Sequence, residues 1–334
     1  MPQDVDFQCP FPERLSPDLD GARERSLAWA RHHGLVASPD AEASFHAWDI
    51  AGLMARWVPL AAGPELDLAV EVVLWSAIFD DQFDGDLGVQ TGRVEQLCAD
   101  FIAITRCDPL LPVPDALPTS PLARAFDDVR ARLCAGATPD WVARLNEHFR
   151  WFIGAYVDEA ANRAARHVPD REKFMELRRR SGYVDLMVDL IERCYGFELS
   201  QRTYELPPIA RMVEITADFV DTVNDVHSVE KEERWGDVNN LVIVIERERG
   251  CSRAESIAEI VALVDSWCRR FVDLEVTLPQ TCAAAGLTDA ETASAQRLAS
   301  GMRDVMGGYL AWSRTTNRYA NLVPEGEAAY DSLL

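Results

Sequence analysis

The chain has 334 residues, of which 48% are hydrophobic and 26% are charged, a balance typical of globular proteins with a sizeable core. Its net charge of −22 and its pI near 4.6 argue against nucleic acid and anionic membrane surfaces as partners, because both repel an acidic protein. An anionic small molecule would need metal cations or a local basic pocket. As a whole, the charge is also explained by solubility alone.

Helices are predicted along almost the whole chain, because apolar residues recur at spacings of three and four. The helix that begins at Pro64 is predicted to end at Gly85. Residues 108–121 contain five prolines and are predicted to form a surface loop. The helices predicted after this loop span residues 139–167, 170 onwards, 207–235, 238–249, 253–276 and 289 to about 321.

Gly182 falls inside the helix that begins near Asp170, where glycine costs about 1 kcal/mol relative to alanine. Either the helix tolerates this glycine at a cost in stability, or the glycine marks a functional break in the helix. No repeat, low-complexity tract or long linker divides the chain, so we predict one domain over residues 1–334, whose tail after about residue 321 is free to be flexible. The predicted fold class is all-α, a helical bundle with its site in the core between facing helices.

The eight cysteines are scattered, without a C-x-x-C motif or a neighbouring histidine pair, which favours reduced thiols over zinc ligands or a disulfide framework. The first residues are acidic and lack the apolar segment of a signal peptide. No apolar run reaches membrane-spanning length. We therefore expect a soluble, cytoplasmic protein.

An acidic motif, Asp80-Asp81-Gln82-Phe83-Asp84, ends the helix that begins at Pro64. Asp80 and Asp84 are four residues apart, so their carboxylates share a helical face and repel each other unless a cation lies between them. A helix C-terminus adds repulsion from the helix dipole. Hard oxygen ligands of this kind suit Mg²⁺ that bridges to phosphate. In a chain with 55 acidic residues, the pattern also fits a solvated helix end.

A second motif places Asn224, Ser228 and Glu232 four residues apart on one face of the helix over residues 207–235. An amide oxygen, a hydroxyl and a carboxylate in a row form an all-oxygen strip that can chelate a metal ion. The polar face of an exposed helix is the other reading, although such a face more often carries Lys, Arg and Glu.

Together these motifs resemble the aspartate-rich motif and the N-D-x-x-S-x-x-x-E motif of bacterial class I terpene synthases, in the same order and 140 residues apart from Asp84 to Asn224. The resemblance covers nearly the whole chain. Residues 2–7 and the stretch through Asp80 are particularly similar to bacterial sesquiterpene cyclases of the pentalenene synthase type. It implies a Mg²⁺-dependent cyclase that ionises a linear isoprenyl diphosphate.

Further positions match the family by residue and by spacing. Arg178 stands 46 residues before Asn224, at the place of the family's diphosphate-sensing arginine, and Ser181 and Gly182 stand at its linker and effector positions. Lys231 and the pair Arg318-Tyr319 match diphosphate-binding residues. The resemblance places the pair in the last helix. It also implies three Mg²⁺ ions, held by Asp80, Asp84, Asn224, Ser228 and Glu232, and makes a homodimer plausible.

Aromatic side chains are expected to line the cavity that holds the carbocation, where cation–π attraction is worth roughly 2 kcal/mol. Trp75, Phe79 and Trp312 lie near the motifs in sequence, although each could instead be ordinary core. Ser76 and Ala77 depart from the family, whose members often carry aromatic residues there. This departure predicts a roomier or more polar pocket.

Several functions remain open at this stage. A sesquiterpene cyclase acting on farnesyl diphosphate is favoured, and the space at Ser76 and Ala77 keeps a diterpene cyclase acting on geranylgeranyl diphosphate as an alternative. A chain-elongating prenyltransferase is disfavoured, since its second motif is normally aspartate-rich. A non-catalytic helical scaffold would not need Arg178, Lys231 and the Arg318-Tyr319 pair in register with two acidic motifs. The product is expected to be a cyclic hydrocarbon or alcohol.

Overall fold

The computed structural model describes residues 5–109, 111, 117–319 and 333–334, except for the side chain of Trp235. Regular structure in these ranges is entirely helical, with one 3-10 turn at Leu87–Val89, which confirms the all-α prediction. None of the described helices is long and apolar enough to cross a membrane. The α-helices are α1 (Leu19–His32), α2 (Pro39–Trp48), α3 (Ile50–Trp57), α4 (Pro64–Asp81), α5 (Thr91–Ile104), α6 (Pro121–Cys134), α7 (Pro139–Ala165), α8 (Arg171–Ser181), α9 (Val184–Tyr195), α10 (Gln201–Tyr204), α11 (Pro207–Trp235), α12 (Leu241–Arg249), α13 (Arg253–Ala284) and α14 (Asp289–Ser313).

Polar caps fix where many of these helices begin. Ser120 and Thr138 each accept a hydrogen bond from a backbone N–H of the first turn, and a proline follows each of them as the first helical residue. Ser252 and Thr288 form reciprocal capping boxes at the starts of α13 and α14. These local signals explain why the sequence located the helix starts well.

Three helix ends differ from the sequence-based prediction. α13 was predicted to end at residue 276 but continues through Pro279 to Ala284, because Leu278 and Cys282 are fully buried and hold the helix in the core. α14 ends at Ser313 instead of near residue 321. α4 ends at Asp81, so Asp84 lies in the turn beyond the helix.

Two long helices form the centre of the bundle. Almost every residue of α4 is buried, and this helix packs against α1, α3, α6 and α9. α11 packs against α8, α9, α12, α13 and α14. Their motif-bearing ends meet where Lys231 Nζ donates to Asp84 Oδ2 over 3.0 Å. All eight cysteines are free thiols, as predicted.

A buried ion cluster ties α7 to α9 away from this meeting point. Arg144 donates to Asp189 over 3.1 Å and to Glu192 over 2.6 Å, and both carboxylates are fully buried. His148 Nδ1 lies 2.6 Å from the second oxygen of Asp189. Charges removed from water in this way are tolerable only while they stay paired.

Replacing Arg144 with methionine keeps much of the side chain's length but leaves the buried Glu192 without its cation and Asp189 with His148 alone. We expect Arg144→Met to lower the free energy of unfolding by about 3–5 kcal/mol in chemical denaturation. The matched control is Arg31→Met, which removes an exposed ion pair with Glu42 and should cost below about 1 kcal/mol. Equal small losses in both variants would contradict a structural role for the buried cluster.

Candidate active site

One cavity lies where the C-terminal end of α4, the middle of α11, the junction of α8 with α9 and the segment after α14 come together. The two acidic motifs, the basic residues and Trp312 all line it, so residues far apart in sequence are gathered as the sequence predicted. Its walls are unusually polar for the interior of a helical bundle, which marks it as the candidate site.

The first motif is held by groups from three other parts of the chain. Tyr156 on α7 donates its hydroxyl to Asp80 Oδ1 over 2.9 Å, and Arg318 donates to Asp80 Oδ2 over 3.3 Å. Asp84 accepts from Lys231 of α11. The turn after α4 thus aims Asp84 at α11, a role that the single-helix prediction did not include.

The second motif forms the predicted strip on α11. Ser228 donates its hydroxyl to the backbone oxygen of Asn224 over 2.9 Å, which leaves the hydroxyl oxygen's lone pairs for a ligand. Asn240, at the start of α12, donates to Glu232 Oε2 and to the backbone oxygen of Asp225, each over 2.8 Å. Asn240 therefore fixes the orientation of the Glu232 carboxylate.

Arg178 bridges α8 to the second motif. Its NH2 group donates to Asn224 Oδ1 over 2.8 Å, and its Nε donates to Asp225 Oδ1 over 2.9 Å. The 46-residue spacing read from the sequence thus corresponds to direct contact. Each of the three predicted diphosphate-binding cations, Arg178, Lys231 and Arg318, is paired with a residue of an acidic motif.

Gly182 marks a break between two helices. α8 ends at Ser181 and α9 begins at Val184, so Gly182 lies at a break and not inside a continuous helix; whether the break is functional stays a prediction. The left-handed residue at this break is Tyr183, with φ of 50°, and not Gly182. A glycine is required at 182 for space, because a Cβ there would collide with the carboxyl group of Asp221.

The segment after α14 folds back over the cavity. The Thr316 hydroxyl donates to the backbone oxygen of Trp48 over 3.0 Å, and the Arg318 guanidinium lies 4.7 Å above the Trp48 ring. The implied placement of Arg318 and Tyr319 in the last helix is therefore wrong, since both follow its end. The turn still delivers them to the site.

The side-chain amide of Asn224 and the hydroxyls of Tyr309 and Tyr319 form a hydrogen-bonded group in the cavity wall. Asn224 Nδ2 donates to Tyr309 over 3.0 Å and to Tyr319 over 2.9 Å, and the two tyrosine oxygens are 2.9 Å apart. This triangle fixes the side-chain amide so that its oxygen faces Arg178. Tyr309 joins the predicted pair as an additional site residue.

Burial and neighbouring charges shift the pKa values of two side chains of the site, Glu232 and Lys231. Burial, together with the charges of Asp225 and Asp237, raises the pKa of Glu232 to about 8. Although burial works to lower it, the pKa of Lys231 lies above its ordinary value because Asp84 and Asp81 stabilise the ammonium. An added cation next to Glu232 would therefore stabilise its carboxylate form.

The residues present fit a divalent cation. The motif side chains that face the cavity supply three carboxylates, one amide oxygen and one hydroxyl, a hard donor set that suits Mg²⁺. Three further carboxylates, those of Glu159, Asp221 and Asp237, also line the cavity. In the described ranges, no group of three His, Cys, Asp or Glu side chains is close enough to hold a metal on its own. Asn224, Ser228 and oxygens of a ligand would have to complete each coordination shell, which is typical of Mg²⁺ bound with phosphates.

Two of the three predicted cavity aromatics lie elsewhere. Trp75 stacks on Phe126 at 4.4 Å and donates to the backbone oxygen of Leu122, and Phe79 packs among Phe83, Phe101 and Tyr156. Both are fully buried in this aromatic core, and neither is among the residues that line the cavity. Trp312 does line it, with its Nε1 bound to the backbone oxygen of Asp49 over 3.0 Å.

The predicted polar opening at Ser76 and Ala77 is also absent. Both side chains are fully buried, neither lines the cavity, and the Ser76 hydroxyl donates to the backbone oxygen of Val72 over 3.0 Å. The roomier pocket expected from these two positions is therefore not observed.

The sequence also missed several residues that shape the site. Asp221 could have been found, because it precedes Asn224 by three residues on the same helical face. Tyr156 and Asn240 gave no signal in the sequence. Tyr156 contacts Asp80 across 76 residues, and Asn240 contacts Glu232 across the turn between α11 and α12.

A helical bundle whose cavity places an aspartate-rich helix end opposite an Asn–Ser–Glu strip, with arginine and lysine side chains between them, has the fold and site of the class I terpene synthases. The chain matches the family model described as "Terpene synthase family 2, C-terminal metal binding" over residues 71–270, and it belongs to that family.

Similar proteins agree with this assignment. The chain is 37% identical to pristinol synthase of Streptomyces pristinaespiralis over 94% of this chain and 84% of that protein. It is 38% identical to pentalenene synthase of Streptomyces avermitilis, over 96% and 94%. A relative from Streptomyces viridochromogenes, 7-epi-alpha-eudesmol synthase, is described as cyclising (2E,6E)-farnesyl diphosphate and is 30% identical over 96% and 93%. The crystal structure of germacradien-4-ol synthase from Streptomyces citricolor superposes with a TM-score of 0.83 at 32% identity, over 94% and 99%.

Removing the Tyr156 hydroxyl tests whether it orients Asp80. We expect Tyr156→Phe to weaken Mg²⁺ binding roughly tenfold, because partners of metal-binding carboxylates typically matter that much. The ring's stacking on Phe83 at 4.6 Å should preserve the fold. The measurement is the rise in melting temperature with Mg²⁺ at fixed inorganic diphosphate. Tyr204→Phe is the control, since the Tyr204 hydroxyl has no hydrogen-bond partner among the described residues. An unchanged Mg²⁺ dependence in Tyr156→Phe would refute the role.

Proposed function

We propose that the protein is a Mg²⁺-dependent sesquiterpene cyclase that takes farnesyl diphosphate, releases diphosphate and closes the carbocation into a cyclic hydrocarbon or alcohol. The observation that supports this most strongly is the pairing of Arg178, Lys231 and Arg318 with the two acidic motifs inside one cavity. Such a site can bind a diphosphate and divalent cations together. When the basic residues turn to the diphosphate, the cations can replace them as counter-charges of the acidic residues.

The residues divide into two sets. Asp80 and Asp84 on one side, and Asn224, Ser228 and Glu232 on the other, would hold three Mg²⁺ ions. Arg178, Lys231, Arg318 and the Tyr319 hydroxyl would donate hydrogen bonds to the diphosphate; contacts of this kind to a charged group are strong. Bound Mg²⁺ supplies Lewis-acid neutralisation of the charge that develops on the leaving group.

The helix break would connect the leaving group to the carbon chain. Arg178 is one turn before Ser181 and Gly182, so movement of its guanidinium towards diphosphate pulls on the backbone at the break. We assign Ser181 and Gly182 the linker and effector roles on this basis. Trp312 and the Tyr309 and Tyr319 rings would face the cation, and the fold-back after α14 would exclude water.

Farnesyl diphosphate is favoured over geranylgeranyl diphosphate. The description of 7-epi-alpha-eudesmol synthase names farnesyl diphosphate as the compound it cyclises. The space at Ser76 and Ala77 that would have admitted a longer chain does not face the cavity. Geranylgeranyl diphosphate remains the alternative substrate for a cyclase with the same site.

The remaining predictions belong to the same proposal. We propose one domain over residues 1–334 and a cytoplasmic location, the latter supported by eight free thiols that a reducing compartment would maintain. A homodimer stays a prediction from family likeness. A chain-elongating prenyltransferase is disfavoured by Asn224 and Ser228 in the second motif, and a scaffold by the buried charges gathered in the cavity.

Turnover tests the proposal directly. Purified protein with Mg²⁺ and farnesyl diphosphate should release diphosphate and give a cyclic fifteen-carbon product in an extract analysed by mass spectrometry. EDTA should abolish this product, and Asp80→Ala and Asn224→Ala should reduce it at least about 100-fold, because each loses a ligand required for ionisation. Asp86→Ala is the control, since Asp86 is an exposed carboxylate beyond the motif and should retain activity.

Other products would redirect the assignment. A cyclic product only from geranylgeranyl diphosphate would make the protein a diterpene cyclase. A longer linear diphosphate formed only with added isopentenyl diphosphate would make it a prenyltransferase. Folded protein that turns over neither substrate would contradict the proposed function.

A further inference from the structure

Asp221 is an acidic side chain of the cavity wall that neither the proposed metal site nor the proposed diphosphate site uses. Glu159 and Asp237 also line the cavity, but both are paired with Arg163. It lies on α11 one turn before Asn224, about 4.5 Å deeper along the helix axis and away from Glu232. Its side chain is 3% exposed and lines the cavity. Its Oδ2 atom accepts no hydrogen bond from any residue that the structure describes.

The position of Asp221 is specified by Gly182. The carboxyl group occupies the volume that any side chain at 182 would need, so the helix break and Asp221 form one continuous piece of wall. Arg178, which faces the diphosphate end, lies one turn before this break on α8. In the proposed function, Asp221 would therefore lie beside the carbon chain that leads away from the leaving group.

The surroundings of Asp221 favour its protonated form. Burial raises its pKa well above the ordinary value; Arg178 offsets this only in part, and Asp225, Asp218 and Asp185 add to it. A neutral carboxyl has one O–H donor and one carbonyl acceptor, and it is a weaker nucleophile towards a carbocation than a carboxylate. Because Oδ2 has no hydrogen-bond partner among the described residues, no protein group holds it back from a carbon chain in the cavity.

We propose that Asp221 relays a proton within the carbocation, so that it decides which ring system the protein releases. This inference rests on the proposed cyclase function and adds a catalytic residue to it.

The step keeps atoms and charge in balance. The Asp221 carbonyl oxygen takes the proton from a C–H bond next to the cationic carbon, and that electron pair becomes a carbon–carbon double bond. In the same step the Asp221 O–H gives its proton to another double bond of the chain, whose π electrons form the new C–H bond. The positive charge moves to a new carbon, and Asp221 ends as a neutral carboxyl group.

Heavy water reports this relay in the unmodified protein. The Asp221 proton exchanges with solvent between turnovers, so turnover of farnesyl diphosphate in D₂O should give a product one mass unit heavier, with deuterium on one carbon. An unlabelled cyclic product would overturn the proposal. Absence of any product would count against the cyclase function instead, which keeps the two failures distinguishable.

Variants then identify the group that carries the deuteron. Asp221→Asn keeps the shape but cannot relay, so we expect loss of the label and a different cyclic product, with diphosphate release and stabilisation by Mg²⁺ plus inorganic diphosphate retained. Glu214→Gln, an exposed carboxyl on the same helix, should keep both label and product. A label that survives in Asp221→Asn would assign the relay to another group and overturn the proposal.

Discussion

Buried charges that must stay paired are the constraint on which this structure depends. Asp221 and Asp225 of α11 are buried, and Asp80, Asp84 and Glu232 are partly exposed to the cavity. A charge buried there without a partner would cost several kcal/mol. Arg178 comes from α8, Lys231 from α11 and Arg318 from the turn after α14, and each meets an acidic motif. The break after α8 and the fold-back after α14 are both needed to bring these cations to their partners.

The same pairing explains how a protein with a net charge of −22 can accept an anion. In the ligand-free protein Arg318 pairs with Asp80, Lys231 with Asp84 and Arg178 with Asn224 and Asp225, whereas Glu232 is held by the neutral Asn240. Diphosphate and divalent cations arriving together would exchange these partners: the basic residues turn to phosphate oxygens, and the carboxylates turn to metal. Either ligand alone would leave the acidic or the basic residues unpaired, so binding of both together is favoured. Such binding would be coupled to movement of Arg178 and of the segment that carries Arg318.

The sequence predicted what depends on local spacing and failed where the answer depends on distant packing. Asn224, Ser228 and Glu232 line up because they share one helix, and the spacing of Arg178 from Asn224 indicated a contact that the structure contains. Trp75 and Phe79 were misplaced because closeness in sequence to Asp80 does not determine the face of a helix that is buried all round. The end of α14 was missed because Thr316 draws the chain back to Trp48, an interaction across 268 residues.

Along α11, the residues proposed to act on the leaving group are separate from the residue proposed to control the product. In the proposed function, Asn224, Ser228, Lys231 and Glu232 would act on the leaving group. Asp221 lies on the other side of Asn224, against the glycine of the helix break, and contributes nothing to holding the diphosphate. A glycine that leaves room for a carboxyl group places a polar group with donor and acceptor capacity where the carbon chain must fold. Chemistry at the leaving group and choice of product can then vary independently, because neighbouring turns of one helix control them.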